Sequence, residues 1–145
     1  MNEISIRPIG VVRNGISFGA EVPKWASVES LIEIDPALVE GLFGLKSFSH
    51  IYVLFWMSRG QVHLRVHPRR DPGLPEVGVF ASRSPTRPNP IGLTLVRLLE
   101  VKDNFLTVLG LDAYEGSPVL DIKPFLMKEL PPGVRFPDWA WHKED

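Results

Sequence analysis

Residues 50–57, His50-Ile51-Tyr52-Val53-Leu54-Phe55-Trp56-Met57, decide the fold class. They are almost all branched or aromatic, which suits a pleated, buried strand. The apolar run within them, 51–57, is the longest in the chain and stops far short of the roughly 20 residues a membrane helix needs. Outward from this strand, 14 prolines and 12 glycines break every longer periodic segment, so long helices are excluded and short strands remain. We place further strands starting at Ile4-Ser5-Ile6 and at 31–34, 61–67, 77–81, 93–101, 105–111 and 119–122. In 61–67 the alternation is clear: Val62, Leu64 and Val66 fall on one face, and Gln61, His63, Arg65 and His67 on the other. One short helix is expected over 36–42, with Asp35 as N-cap, Pro36 at the first helical position and Gly44 beyond its end. The pattern predicts an all-β, single-domain β-barrel over 1–145 with one short helix, a proline-rich loop and a C-terminal tail over 130–145.

The 145 residues are 44% hydrophobic and 23% charged, a composition that fills one core and excludes a disordered chain. Cysteine is absent, which removes disulfides, thiolate nucleophiles and iron–sulfur clusters. The opening Met1-Asn2-Glu3-Ile4 has no charged segment followed by an apolar stretch, so a cytoplasmic protein with no membrane partner is expected. His50, His63, His67 and His142 have no metal-ligand spacing, and no metal site is expected. Neither a Gly-x-Gly-x-x-Gly turn nor a Gly-x-Ser-x-Gly elbow occurs.

Net charge is close to zero, with 16 Lys and Arg against 17 Asp and Glu, but it is unevenly spread. Residues 59–97 hold Arg59, Arg65, Arg69, Arg70, Arg83, Arg87 and Arg97 against Asp71 and Glu76 only, a local balance of +5. Guanidinium groups match phosphate and carboxylate, so the segment suits an anionic ligand; a solvated face with surface ion pairs is the alternative. Within it, Arg83-Ser84-Pro85-Thr86-Arg87-Pro88-Asn89-Pro90-Ile91-Gly92 is a stiff loop that holds its shape before any ligand arrives. Arg83 and Arg87 offer anion donors and Asn89 both donors and an acceptor, unless the arginines only cap carbonyls. The loop over 68–75 carries Arg69-Arg70-Asp71 at its exposed tip.

A second segment, 110–125, embeds Asp112, Glu115, Asp121 and Lys123 among apolar residues, where an unpaired charge is costly. Asp121 and Lys123 share a strand face at spacing two, so they either pair with each other or serve a ligand. Trp139 and Trp141 in the tail must fold back on the barrel or pack on another subunit.

Taken together, Pro8-Ile9-Gly10-Val11-Val12, Phe48-Ser49-His50-Ile51, Gly78-Val79-Phe80-Ala81-Ser82-Arg83-Ser84-Pro85, Arg87-Pro88-Asn89-Pro90-Ile91-Gly92 and Asp121-Ile122-Lys123-Pro124 resemble the signature of the TrmO family, also called TsaA-like or YaeB-like. The resemblance runs over nearly the whole chain. It implies a small β-barrel that forms homodimers and transfers a methyl group from S-adenosylmethionine to N6 of threonylcarbamoyladenosine in tRNA. By position it implies cofactor contacts at Pro23, Lys24, Trp25, Ser58, Arg59, Arg83 and Leu93 and in the turn Asp112, Ala113, Tyr114, Glu115. The chain departs from the family at Lys24-Trp25, where Arg-Gln is usual, at Ser58-Arg59, where a His-bearing pair is usual, and at Phe125, where Tyr is usual. Many bacterial relatives carry an additional C-terminal domain. For the chemistry, Asp121 and Asp112 are candidate bases, with Lys123 or an arginine polarising the carbonyl. Arg69, Arg70, Arg87 and Asn89 are the candidate substrate contacts, with Arg83 or Arg87 also able to hold a carboxylate or the RNA backbone. The rival functions are a non-catalytic S-adenosylmethionine or nucleotide sensor and a purely RNA-binding barrel.

Overall fold

The computed structural model describes residues 1–22, 24–57 and 60–141. Six strands close into an antiparallel barrel in the order β1-β2-β7-β6-β3-β8: β1 Gly10–Arg13, β2 Glu29–Ile34, β3 His50–Trp56, β6 Ile91–Lys102, β7 Phe105–Leu109 and β8 Pro118–Pro124. A separate two-stranded ladder pairs β4 Arg65–Val66 with β5 Val77–Gly78. The expected barrel is thus present, and β3 is one strand of its wall, paired along its length to β6 on one side and β8 on the other.

Period-two alternation sorts β3. Ile51, Val53 and Phe55 are buried in the core, and His50, Tyr52, Leu54 and Trp56 point outward. Inward residues of the other strands, among them Ile32, Val96, Leu106 and Val119, complete one cluster. Each fully buried aliphatic side chain contributes about 1.5–3 kcal/mol relative to exposure, and this cluster supplies most of what holds the barrel closed. Phe55 explains a glycine: a Cβ on Gly92 would lie 2.5 Å from the tip of the Phe55 ring. On β1, a Cβ on Gly10 would lie 2.5 Å from the Glu33 carbonyl oxygen of the paired strand.

Four strand expectations are corrected, the first being 77–81, of which only Val77 and Gly78 pair while Val79–Ala81 is a 3₁₀ turn. Ile4 and Ile6 are not in a strand and are 86% and 54% exposed; pairing starts at Gly10, after Pro8, which has no N–H for a ladder. Of 61–67 only Arg65 and Val66 pair, and Val62 and Leu64 are exposed. The closed barrel offers no free edge to this segment, so its amides turn elsewhere: His63 N–H donates to the Thr86 carbonyl at 2.8 Å. Strand β7 ends at Leu109, because Gly110 at φ +94° turns the chain away. The helix over Pro36–Leu42 has the expected start, with Pro36 leading and Asp35 accepting from the Ala37 N–H at 3.0 Å, and Gly44 lies beyond it at φ 85°. It is a 3₁₀ helix with no fully buried residue; only Leu42, at its end, is packed against the core, too little contact to reward a longer α-helix. The other helical pieces among the described residues are single 3₁₀ turns.

Candidate functional site

Two segments singled out by the sequence meet on neighbouring residues of β6. From the proline-rich loop, Arg83 Nη1 donates to the Leu93 carbonyl at 2.9 Å. From the turn after β7, Asp112 accepts the hydroxyl hydrogen bond of Thr94. The loop keeps its shape through its own contacts: Arg87 Nη1 donates to the carbonyls of Ser82 at 2.9 Å and Ser84 at 3.3 Å, and the Met57 N–H donates to the Pro90 carbonyl at 2.7 Å. The half-buried Arg87 therefore caps carbonyls inside the loop, while Arg83 and Asn89 are exposed.

Outward residues of β6, β3 and β8 make a lattice beside this junction. Leu93 and Asp121 flank Leu54, and Tyr52 faces Lys123 across the β3–β8 ladder. Two strand spacings separate Leu93 from Asp121, about 9–10 Å. Asp121 Oδ2 and Lys123 Nζ form an ion pair of 3.0 Å, and Asp121 Oδ1 accepts the Ile122 N–H at 2.9 Å. A register shift puts Leu120 as an extra residue opposite β3, a bulge that lets Val119 and Ile122 both face the core while Asp121 faces out. Burial and then a hydrogen bond to Glu129 raise the Tyr52 phenol above its ordinary pKa, with nearby Arg83 opposing them.

The 112–115 turn closes one end of the barrel. Leu111 and Ala113 are buried, so Asp112 and Tyr114 are turned the other way. Tyr114 is edge-on to Phe18 and to Trp25, with ring centroids 5.4 Å apart in each case. Asn14 Nδ2 donates to the Ala113 carbonyl at 2.8 Å and to the Ser30 hydroxyl at 3.1 Å. Glu115 Oε1 accepts the N–H groups of Asn14 and Gly15, both at 2.7 Å, and Oε2 lies 3.4 Å from Arg13 Nη1. The amides of Gly15 and Asn14, and then Arg13, hold the Glu115 carboxyl below the usual carboxylate range. Its carboxylate is thus engaged in tying the turn to the loop after β1.

The structure accordingly brings together Arg83, Leu93 and Asp112, joins Trp25 to Tyr114 through ring contact, and sets Asp121 and Lys123 on the adjoining face. Lys24 caps the 3₁₀ turn Trp25–Ser27, its carbonyl accepting the Ser27 N–H at 2.9 Å. Pro23, Ser58, Arg59 and His142 lie outside the described residues. Arg69 and Arg70 are elsewhere, in the turn Pro68–Arg70, where Arg69 Nη2 donates to the Trp139 carbonyl at 3.1 Å. Sequence reasoning missed Thr94, Asn14, Tyr52 and Glu129. Tyr52 was within reach, as the one hydroxyl on the outward face of β3; the other three act through folding partners 16 to 101 positions away, which spacing does not reveal.

Residues 20–129 match the family described as tRNA-methyltransferase O N-terminal domain. A probable S-adenosyl-L-methionine-binding protein of Methanothermobacter thermautotrophicus is 47% identical over 127 residues, covering 85% of this chain and 90% of its own. The tRNA (adenine(37)-N6)-methyltransferase of Escherichia coli is 37% identical over 139 residues, covering 87% of this chain and 59% of its own. The crystal structure of TrmO from Pseudomonas aeruginosa superposes with a TM-score of 0.74 at 30% identity, over 92% of this chain and 61% of that one. The chain therefore spans about three fifths of these two longer relatives and nearly all of the archaeal one. With the barrel, the Arg83 loop and the 112–115 turn already in place, these matches make the chain a member of the tRNA-methyltransferase O family, corresponding to its N-terminal domain.

Proposed function

We propose that this protein is an S-adenosyl-L-methionine-dependent methyltransferase acting on N6 of threonylcarbamoyladenosine in tRNA, working in the cytoplasm as a homodimer. The observation that carries the reading is the meeting of Arg83 and Asp112 on Leu93 and Thr94, two parts distant in sequence that converge on one short stretch of strand. The groups there fit the methyl donor: Arg83 keeps guanidinium N–H groups for its carboxylate, Asp112 suits its ammonium group, and the Trp25–Tyr114 ring pair suits its adenine. S-adenosyl-L-methionine would supply an electrophilic methyl group on a sulfonium. The chain's own part is to hold N6 in line with that methyl and to take its proton. Transfer to N6 would leave the electron pair of the carbon–sulfur bond on sulfur, and a carboxylate of this chain would take the N6 proton. Asp121 is the candidate base, with Asp112 the other; Lys123, already at 3.0 Å from Asp121, would polarise the carbamoyl oxygen and make the proton easier to lose. The exposed Leu93 and Leu95 beside this site are the apolar surface a partner subunit would cover.

The test is transfer of labelled methyl from S-adenosyl-L-methionine to tRNA bearing threonylcarbamoyladenosine, with the label followed into the digested nucleosides. Wild-type protein should methylate that nucleoside, and Asp121→Asn should lose about 10²–10⁴-fold in rate while still binding the donor. Binding without transfer to any tRNA would favour the second reading, a donor-binding sensor. That reading draws on the archaeal relative, which this chain nearly spans and whose name says only that it binds S-adenosyl-L-methionine.

A further inference from the structure

The tail beyond β8 holds aromatic rings that the site above does not use. Arg69 Nη2 donates to the Trp139 carbonyl at 3.1 Å, across 70 positions of chain, and so ties the turn Asp138–Ala140 to the turn Pro68–Arg70. The Trp141 N–H bonds back to the Asp138 carbonyl at 3.1 Å. Its indole stacks on Phe136, with ring centroids 5.8 Å apart and planes 8° from parallel. Both rings nevertheless face water: Phe136 is 47% exposed and Trp141 60%. Rings of this size serving only to pack the tail would be turned toward the barrel, and an ordered pair left in water marks a contact surface.

The cations beside the tail give the second observation. Arg69 and Arg70 have φ of 55° and 58°, a left-handed conformation that residues with a Cβ rarely hold, and two in succession present both side chains from one tight turn. Both are exposed, and neither has a carboxylate partner among the described residues. Arg69 spends one N–H on a neutral carbonyl and keeps its charge uncompensated. Asp71, the next residue, accepts the Gly73 N–H at 2.9 Å within its own loop, and Asp138 is the carboxylate of the docked turn.

We propose that Phe136, Trp141, Arg69 and Arg70 form a docking surface for single-stranded RNA, with an unpaired base stacked on the open face of the Phe136–Trp141 pair and flanking phosphates on the two guanidinium groups. The inference rests on the RNA substrate proposed above and adds where unpaired nucleotides of that RNA are gripped. Every base has a π face, so stacking tolerates sequence, while guanidinium groups follow the backbone. A duplex hides its base faces and satisfies only the second requirement.

The full chain is titrated against a fluorescein-labelled anticodon stem-loop and against the same strand annealed into a continuous duplex, with anisotropy as readout at several salt concentrations. Wild-type protein should prefer the stem-loop. Trp141→Ala should weaken it by about fivefold or more, and Trp141→Phe should keep most of the affinity. Arg69→Ala with Arg70→Ala should lower affinity and flatten the log–log salt slope by about 1.4, the share of two single-strand phosphates. Calorimetric affinity for S-adenosyl-L-methionine should stay unchanged in every variant, which shows that the barrel is intact. Wild-type affinity in both the Trp141→Ala and the double arginine variants overturns this surface and leaves the RNA substrate standing. Equal loss in Trp141→Phe and Trp141→Ala overturns the stacking role. A wild-type protein that binds neither RNA overturns both the surface and the substrate.

Discussion

Replacing Glu115 by Ala should open the seam between the 112–115 turn and the loop after β1. One carboxylate oxygen accepts the Asn14 and Gly15 N–H groups at 2.7 Å each, and the other faces Arg13 at 3.4 Å. A hydrogen bond to a charged group is worth about 1.5–3 kcal/mol, but the Glu115 side chain is 31% exposed and water recovers part of that loss for both amides. The exposed Arg13 contact adds little. The net cost is about 2 kcal/mol, which lowers Tm by about 4–8 °C for a chain of this length. The pH dependence has a fixed sign. Because the folded pKa of Glu115 is lowered, its contribution is complete above the ordinary glutamate value of about 4.3 and is lost as pH falls through the folded value. Thermal melts by circular dichroism, run from neutral to acid pH, should show a gap between wild type and Glu115→Ala that narrows in that acid window. Glu115→Gln keeps an acceptor oxygen without the charge and should melt between the two. A Glu115→Ala protein melting with wild type at neutral pH, or a gap constant through the acid range, would refute the assignment.

Gly92→Ala should destabilise the barrel by about 1–3 kcal/mol, because its Cβ would lie 2.5–2.8 Å from atoms of the Phe55 ring, which is 3% exposed and has nowhere to move. An unchanged urea midpoint would show that the ring yields. Light scattering should give the mass of a dimer with two-fold symmetry, and 16.3 kDa at all concentrations would refute the homodimer.

The barrel was legible because its main signal is local. The β-rich run at 50–57 and the alternation along 105–109 require only that neighbours in sequence face opposite ways. The failures have a common physical origin in partners. Ile4-Ser5-Ile6 and 61–67 alternate well enough to be strands, but a strand exists only if an edge is open to it, and the six-stranded barrel closes on itself. The site was legible in part for the same reason. The Asp121–Lys123 pair follows from spacing along one strand, and the stiffness of the 83–92 loop from its prolines. That Arg87 faces its own loop, that Arg83 reaches Leu93, and that Thr94 meets Asp112 depend on how separate segments are brought together. The family resemblance implied a cofactor contact at Glu115, and its carboxylate is occupied by two amides from a segment about 100 residues earlier.

The central claim is that the Arg83 loop and the 112–115 turn form one site for the methyl donor. Isothermal titration of S-adenosyl-L-methionine into wild-type and Arg83→Ala protein tests it most directly. The exposed guanidinium is aimed at the junction by a single hydrogen bond to Leu93, so the variant should fold as wild type does, by the same thermal melt. Its affinity for the donor should fall about tenfold or more, the loss of one charge-assisted hydrogen bond worth about 1.5–3 kcal/mol. Unchanged affinity in a folded Arg83→Ala protein would contradict the claim and move the donor site away from the proline-rich loop.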